Sequence, residues 1–519
     1  MKKRIRFSIS LLWLIGCFAY ACYFVAKYGS CFLDADMSSE LVLGKLLSEE
    51  GGILSKNWYY STELRVINNQ IVFALLFHLL KSWAAVRTVG SVVLFALLAV
   101  SCLFAMRSLD IDWDISFIST GILLLPLSVS YQYAVLNGLF YIPHIVISFV
   151  SLGLFLKNCR AQTVVKKRLF LLVSAIVAIL GGLGGIRQLF VFYVPLAASA
   201  LIYAFVDENN DKASEKATCV RCTLVMLIAS AVGCLLNKLV LSRIYSFCDY
   251  GMDTFGRNVC FTEFSLAGAE RFFNMVFGLL GYKPGKLFSG YLVYNCLFAL
   301  LLLLSILSVS GIIRSKSFSA DEKITVGCLC MAVVLTAGIF CFTDMDKIDR
   351  YGIPAAVLLV PVIGLYFEKL KSGKPIRLLI AAALVLLASV TGFEAYKTSS
   401  RYDANTDIKN VCAYLTENDY SNGYSSFWSG NILTELSDGQ IDMTVVGTDY
   451  ILSRDDLGIV YHWLQPKSHV DTHSNGKVFL VLVEPEIKNC GLEIEPAFKS
   501  GKYSVFTFDS FSGFEELYK

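Results

Sequence analysis

Long apolar runs broken by short, charge-rich connectors dominate the chain. A helix needs about 18–20 apolar residues to cross a bilayer. By that measure eleven spans are predicted, near 8–26, 84–106, 115–133, 137–156, 169–186, 188–206, 222–242, 289–313, 324–342, 353–367 and 378–395. The pattern therefore predicts an α-helical polytopic membrane protein. Between the fifth and sixth spans, Gly181-Gly182-Leu183-Gly184-Gly185 predicts a tight turn or a helix break. At the start, Ala19-Tyr20-Ala21 after a basic stretch has the look of a signal-peptide cleavage site. The apolar run continues through Cys22 to Ala26, however, longer than a typical signal core, and predicts a retained anchor.

Three stretches leave this pattern. In 27–83, apolar Met37, Leu41, Leu46 and Leu47 recur at near-helical spacing; Trp58-Tyr59-Tyr60 and Glu63-Leu64-Arg65 follow. A 13-residue apolar run from Ile71 to Trp83 is too short to span and predicts an interfacial helix. The second stretch is 243–288. The third begins at about 397, where composition shifts to 10 Lys/Arg against 18 Asp/Glu, eight more acids than bases. There Ile408, Val411, Cys412 and Leu415 mark an amphipathic helix. Ile441–Val446, Val478–Val483 and Tyr503–Phe508 read as strands, with Asp438-Gly439 as a turn. The expected organisation is a transmembrane domain over 1–396, including the outer loop 27–83, and a soluble α/β domain over 397–519.

Composition agrees with the membrane reading: 55% of the residues are hydrophobic, 17% are charged, and the mean hydropathy is +0.60. The net charge of +3 is sorted by side, so nucleic acid is excluded as a natural partner. Lys2, Lys3, Arg4 and Arg6 share a side with the basic loops at 157–168, 207–221, 314–323 and 368–377. The positive-inside rule makes that side cytoplasmic and puts the C-terminal segment outside. Most of the 16 cysteines lie in spans; Cys248 with Cys260, and Cys412 with Cys490, are candidate pairs if the compartment oxidises. The C-terminal segment has no phosphate loop, nucleophile elbow or zinc spacing. His462, His469 and His473 read as solvated surface in a loop rich in Asp, Ser and Asn, and Tyr420, Tyr424, Phe427 and Trp428 as exposed sugar-stacking surfaces.

The candidate chemistry centres on Asp34-Ala35-Asp36, two carboxylates just past the first span, where charge near lipid needs a reason. Asp36 precedes a predicted helix, so capping and base catalysis both account for it. Arg187 and Arg350, at outer span ends, suit phosphate through their paired N–H donors. For Arg350 the alternative is an ion pair with Asp344, Asp346 or Asp349, or snorkelling. Tyr59, Tyr60, Glu63 and Arg65 form a polar–aromatic patch that would suit a pocket wall or an interface anchor. Asn137 and His144, near the start of the fourth span, face either a cavity or a neighbouring helix.

One cytoplasmic-in helix, an acidic motif, an amphipathic helix ending at a Gly, interfacial helices and Ala85-Val86-Arg87 opening the next span together resemble the GT-C superfamily of polytopic glycosyltransferases. Asp36 lies fifteen residues before Gly51, similar to the spacing between the catalytic acid and the helix-closing Gly in that superfamily. Asp349-Arg350-Tyr351-Gly352-Ile353-Pro354 resembles its Arg-Tyr-x-x-Pro pattern. Departures are Met37 where many members carry a second acid, no Pro-Pro pair before Ile71, and a C-terminal domain unlike the accessory domains of the superfamily. The resemblance implies an inverting transfer from a polyprenyl-phosphate sugar donor to an envelope glycan, lipid or protein, in a bacterial plasma membrane. Asp36 would be the base and Asp34 a second carboxylate that orients the acceptor or tunes its neighbour. Arg187 and Arg350 would hold the donor phosphate, and Tyr59, Tyr60, Glu63, Arg65, His144 and Tyr351 would line the pocket. No cofactor is assured, and a divalent metal is left open. The competing classes are a flippase for a lipid-linked glycan, which would explain Asn237, Lys238 and Arg243, and a non-enzymatic envelope-assembly protein.

Overall fold

The computed structural model describes residues 2–61, 63–207, 213–247, 260–285, 291–345, 348–369, 374–447, 462–471, 474 and 476–516. Cys248, Asp346 and His473 lie outside them. Among the described residues, nine helices are long and apolar enough to cross a membrane: Lys3–Phe32, Trp83–Ser108, Ile142–Arg160, Ile186–Val206, Ala213–Arg243, Leu292–Arg314, Ala320–Phe342, Asp349–Lys369 and Arg377–Ser399. The expected spans at 115–133 and 169–186 are the two that differ. The first is a helix of only 11 residues, Trp113–Leu123, which ends before Pro126; proline lacks the N–H and crowds the preceding turn. Ser128 then caps a new short helix by accepting from the Tyr131 N–H, and a π-helical segment runs over Gln132–Asn137. The second is a real helix, Val164–Leu183, but Lys166, Lys167 and Arg168 occupy its start and leave too short an apolar stretch.

The glycine run is both turn and packing device. Gly185, at φ 100°, breaks the chain before Ile186, whereas Gly182 stays helical. A Cβ on Gly182 would sit 2.0 Å from the Ser230 carbonyl, so helices Val164–Leu183 and Ala213–Leu239 touch backbone to backbone there.

The chain forms two compact units. One comprises 1–23, 94–239 and 258–398, and the other 24–93, 240–257 and 399–519. The second unit gathers stretches that are separate in sequence. A small sheet has β1 (Trp58–Tyr60) at its centre, parallel to β2 (Ser246–Phe247) and antiparallel to β5 (Gln465–Pro466). The larger sheet runs β4 (Asp442–Val445), β3 (Asn422–Ser425), β6 (Val478–Val483), β8 (Tyr503–Phe508), β7 (Phe498–Ser500). Its first three strands are parallel and the last two antiparallel. Tyr424, Val478, Leu480, Leu482 and Phe506 build the core on one face, with Cys490 among them. Cys412, on helix Thr406–Glu417, is a buried free thiol, so the expected Cys412–Cys490 disulfide does not form. Asp438 and Gly439 make the expected turn with φ of 56° and 79°.

Two surface expectations fail for one reason, sheet formation. Tyr424 and Phe427 are core residues, while Trp428 remains 62% exposed. His469 is only 8% exposed: its Nδ1 lies 3.1 Å from Gln465 Oε1 and its Nε2 lies 3.0 Å from Asp442 Oδ1. His462 stacks on Tyr59, with ring centres 4.3 Å apart.

Candidate active site

The helix Ala35–Glu50 carries the acidic pair. Asp34 has extended backbone (φ −132°, ψ 176°), and its Oδ1 accepts from the Met37 N–H at 2.8 Å. It is the N-cap. Asp36 therefore sits inside the first turn, half-buried, and capping does not explain it. The helix ends at Gly51 in the left-handed conformation (φ 74°), its N–H donating to Leu47 O. Gly44 lets helix Gln70–Phe77 come close, because a Cβ there would lie 2.7 Å from Phe73 Cβ. That second helix is the expected interfacial one, shorter than its apolar run.

One helical turn beyond Asp36 is Glu40, which the sequence reading did not single out. Asn68 Nδ2 donates to Glu40 Oε1 at 3.0 Å. Burial pushes the Glu40 carboxyl up to about 7; the charge of Asp36 adds to the rise, while Arg65, the Asn68 hydrogen bond and Arg87 oppose it. Glu40 in turn helps raise the Tyr60 hydroxyl, which burial already drives well above its usual range. Asp36, Tyr60 and Arg65, named separately from the sequence, thus converge on Glu40. Its signal in the sequence is the i, i+4 spacing from Asp36, which puts both acids on one helical face.

The other expected residues of this unit have defined surroundings. Tyr60 is 4% exposed and its hydroxyl accepts from the Ser55 N–H at 3.0 Å, so it is a wall of the fold. Tyr59 lies between His462 and Lys467, the latter's Nζ 5.7 Å from its ring centre. Glu63 and Arg65 are half-buried on the segment leading into the Gln70 helix, and the Arg65 carbonyl accepts from Gln70 Nε2 at 2.9 Å.

Arg87, at 6% exposure, ties the acidic helix down. Its Nη2 donates to the Met37 carbonyl at 3.0 Å and to Glu435 Oε2 at 2.7 Å, and its Nε donates to Glu435 Oε1. This paired fork is the strong form of an arginine–carboxylate bond. On the same unit, a cavity of about 650 Å³ is bordered by Ser30, Arg87, Lys409, Cys412, Glu435 and Asp438.

In the first unit, Arg187 follows the Gly185 break. It donates to the Tyr141 hydroxyl at 2.9 Å and lies over two rings, 5.4 Å from the centre of Tyr141 and 4.9 Å from that of Tyr351. His144, 5% exposed, packs against Tyr141 with ring centres 5.9 Å apart. Arg187 thus joins Tyr351 to Tyr141, and Tyr141 in turn joins Arg187 to His144. Arg350 is half-buried on the 3₁₀ turn Asp349–Gly352. Two of its expected carboxylate partners have other bonds: Asp349 accepts from Ser130 Oγ at 2.7 Å and Asp344 from the Cys260 N–H at 2.9 Å. Among the described residues, no three His, Cys, Asp or Glu side chains are arranged to hold a metal ion.

No protein-family model and no curated protein matches this sequence. Solved structures do match its shape. The crystal structure of ArnT from Cupriavidus metallidurans bound to undecaprenyl phosphate has a TM-score of 0.58 and 11% identity, covering 95% of this chain and 98% of that one. The same protein in the apo state gives 0.57 at 11% identity, covering 95% and 97%. An oligosaccharyltransferase from Archaeoglobus fulgidus is a looser match, with a TM-score of 0.46 and 12% identity over 91% of this chain and 68% of that one. Over nearly the whole of both chains, therefore, this protein shares the fold of ArnT.

Proposed function

We propose that this protein transfers a sugar from a polyprenyl-phosphate-linked donor to an envelope glycan, lipid or protein on the outer face of the membrane. The observation that carries the reading is the match over nearly the whole of both chains to ArnT, whose matched structure has undecaprenyl phosphate bound. In the proposed topology the N-terminus is cytoplasmic, and residues 27–83, 243–288 and 397–519 are outside. The 397–519 segment grips acceptor and contributes no reacting group.

Asp36 is the base. Asp34 already supplies the helix cap, so Asp36 has no capping duty and is left for proton transfer, one helical turn from Glu40. The acceptor O–H gives its proton to the Asp36 carboxylate as its oxygen attacks the anomeric carbon opposite the phosphate. The anomeric C–O bond breaks, and its electron pair leaves with polyprenyl phosphate. A single displacement inverts that centre. Arg187 and Arg350 supply the charge that meets the departing phosphate. Tyr141 and Tyr351 hold Arg187 on two sides, which leaves less of its freedom to lose on binding.

The test uses purified full-length protein in detergent with synthetic polyprenyl-phosphate pentoses and hexoses, reading release of polyprenyl phosphate. Asp36→Asn is expected to lower turnover by about 10²–10⁴-fold while the thermal midpoint holds. Release at the wild-type rate by Asp36→Asn would move the base to Asp34. Absence of release from every donor would sink the donor class.

A further inference from the structure

We propose that Cys159 and Cys219 form a redox modification site, a dithiol that a low-molecular-weight disulfide converts reversibly into a crosslink between two helices. Cysteine inside a span ordinarily packs as a small apolar side chain. Here two of them meet sulfur to sulfur. Cys159 lies in the last turn of the span Ile142–Arg160, and Cys219 in the second turn of the helix Ala213–Leu239. They are 60 residues apart in sequence, yet the Cys219 Sγ donates to the Cys159 Sγ at 3.1 Å. Both belong to the first unit, and neither side chain has another hydrogen bond among the described residues. A disulfide bond is about 2.05 Å long, so forming it draws the sulfurs together by about 1 Å.

Access divides the roles. Cys159 is half-buried and borders a cavity of about 510 Å³ with Arg160, Lys316, Glu322 and Lys369. Cys219 is fully buried. A solute that enters the cavity therefore meets Cys159 first, and Cys219 is the thiol that resolves. The Cys159 sulfur loses its proton to water and attacks one sulfur of the small disulfide, RSSR. That S–S bond breaks, and one RSH departs. The Cys219 sulfur, losing its own proton, then attacks the Cys159 sulfur of the mixed disulfide and displaces a second RSH. Two protein thiols give up two electrons, and one RSSR is reduced to two RSH.

The new bond would close a three-helix group. Helix Val164–Leu183 packs against both the Cys159 span and the Cys219 helix, and it touches the latter backbone to backbone at Gly182. It leads to Arg187 at one end, and the dithiol lies at the other. In the proposed topology the dithiol end is cytoplasmic, where small thiols keep such pairs reduced. A shift of that pool towards disulfide would close the crosslink.

The experiment incubates purified full-length protein in detergent with hydroxyethyl disulfide, then denatures it, blocks remaining thiols with N-ethylmaleimide and reads the peptides by mass spectrometry. Wild type is expected to give a peptide linked through Cys159 and Cys219 that dithiothreitol removes. Its thermal midpoint should rise with the link, which constrains the unfolded chain, and fall back on reduction. Cys219→Ser should hold a mercaptoethanol adduct on Cys159, whereas Cys159→Ser should leave Cys219 unmodified. Cys222→Ser should crosslink as wild type does, because the Cys222 thiol is turned to Met226 on its own helix, with sulfurs 4.0 Å apart. Absence of the linked peptide from folded wild type, or a link from Cys159 to Cys222 in its place, would overturn the proposal. Equal adducts on the two single variants would overturn the division of roles. A pair that only packs would lower the midpoint in either variant and give neither adduct nor link.

Discussion

The Arg87–Glu435 clasp gives the sharpest test of how the acidic helix is held. Both side chains are 6% exposed, and Arg87 also donates to the Met37 carbonyl in the turn that contains Asp36. Arg87→Met removes the cation and leaves Glu435 charged, buried and unpaired. Such a loss costs about 3–5 kcal/mol. Removing both charges, as Arg87→Met with Glu435→Leu, leaves two apolar side chains and one carbonyl without its donor. The carbonyl costs about 1 kcal/mol, so the double variant should recover most of what the single one loses. Unfolding in mild detergent measures the midpoints. Maleimide modification of Cys412, followed by mass spectrometry, gives a local reading, because this buried thiol borders the same cavity as Arg87 and Glu435. Arg87→Met should label faster than wild type, and the double variant near the wild-type rate. Arg87→Lys keeps the charge but loses the fork, so it should lower turnover more than stability by loosening the Met37 turn. Wild-type midpoint and labelling in Arg87→Met, or a double variant as weak as the single one, would refute the reasoning.

Two further outcomes follow from packing and charge. Gly182→Val should destabilise by several kcal/mol, since its Cβ would collide with the Ser230 carbonyl; a thermal midpoint equal to wild type would contradict the backbone contact. Near Asp442, desolvation raises the carboxyl, but the hydrogen bond and charge of His469 outweigh it and hold it below its usual range. A lowered carboxyl gives stability that is present above its unfolded value and lost as pH falls through the folded one. Asp442→Asn should therefore lower the midpoint modestly at pH 7, because that side chain is 61% exposed, and the difference should close by about pH 3. A gap that widens on acidification would reverse the assignment.

How legible these features were depends on the range over which each is determined. The spans, the Asp34–Gly51 helix and three strands of the larger sheet follow from local periodicity, caps and turn residues, and they form near where the pattern puts them. The 115–133 stretch misled because hydropathy averages over Pro126, whose backbone cost is confined to one turn. The chemistry is less local. Asp36 was visible as an acid beside a span, yet whether it caps the helix turns on where the first turn begins. The cap at Asp34 decides it, two residues away. Arg87 was visible as the opening of a span, but its partner is 348 residues along the chain, beyond any window a periodic pattern can read. Glu40 lies between these cases. Its distance from Asp36 is written in the sequence, while its raised proton affinity comes from burial, against the opposing pull of Arg65 and the Asn68 hydrogen bond. Two acids at i and i+4 on a surface helix repel weakly and mean little. In the folded chain burial, with the charge of Asp36 added to it, lifts the Glu40 carboxyl, and it is the long-range fold that converts the first situation into the second.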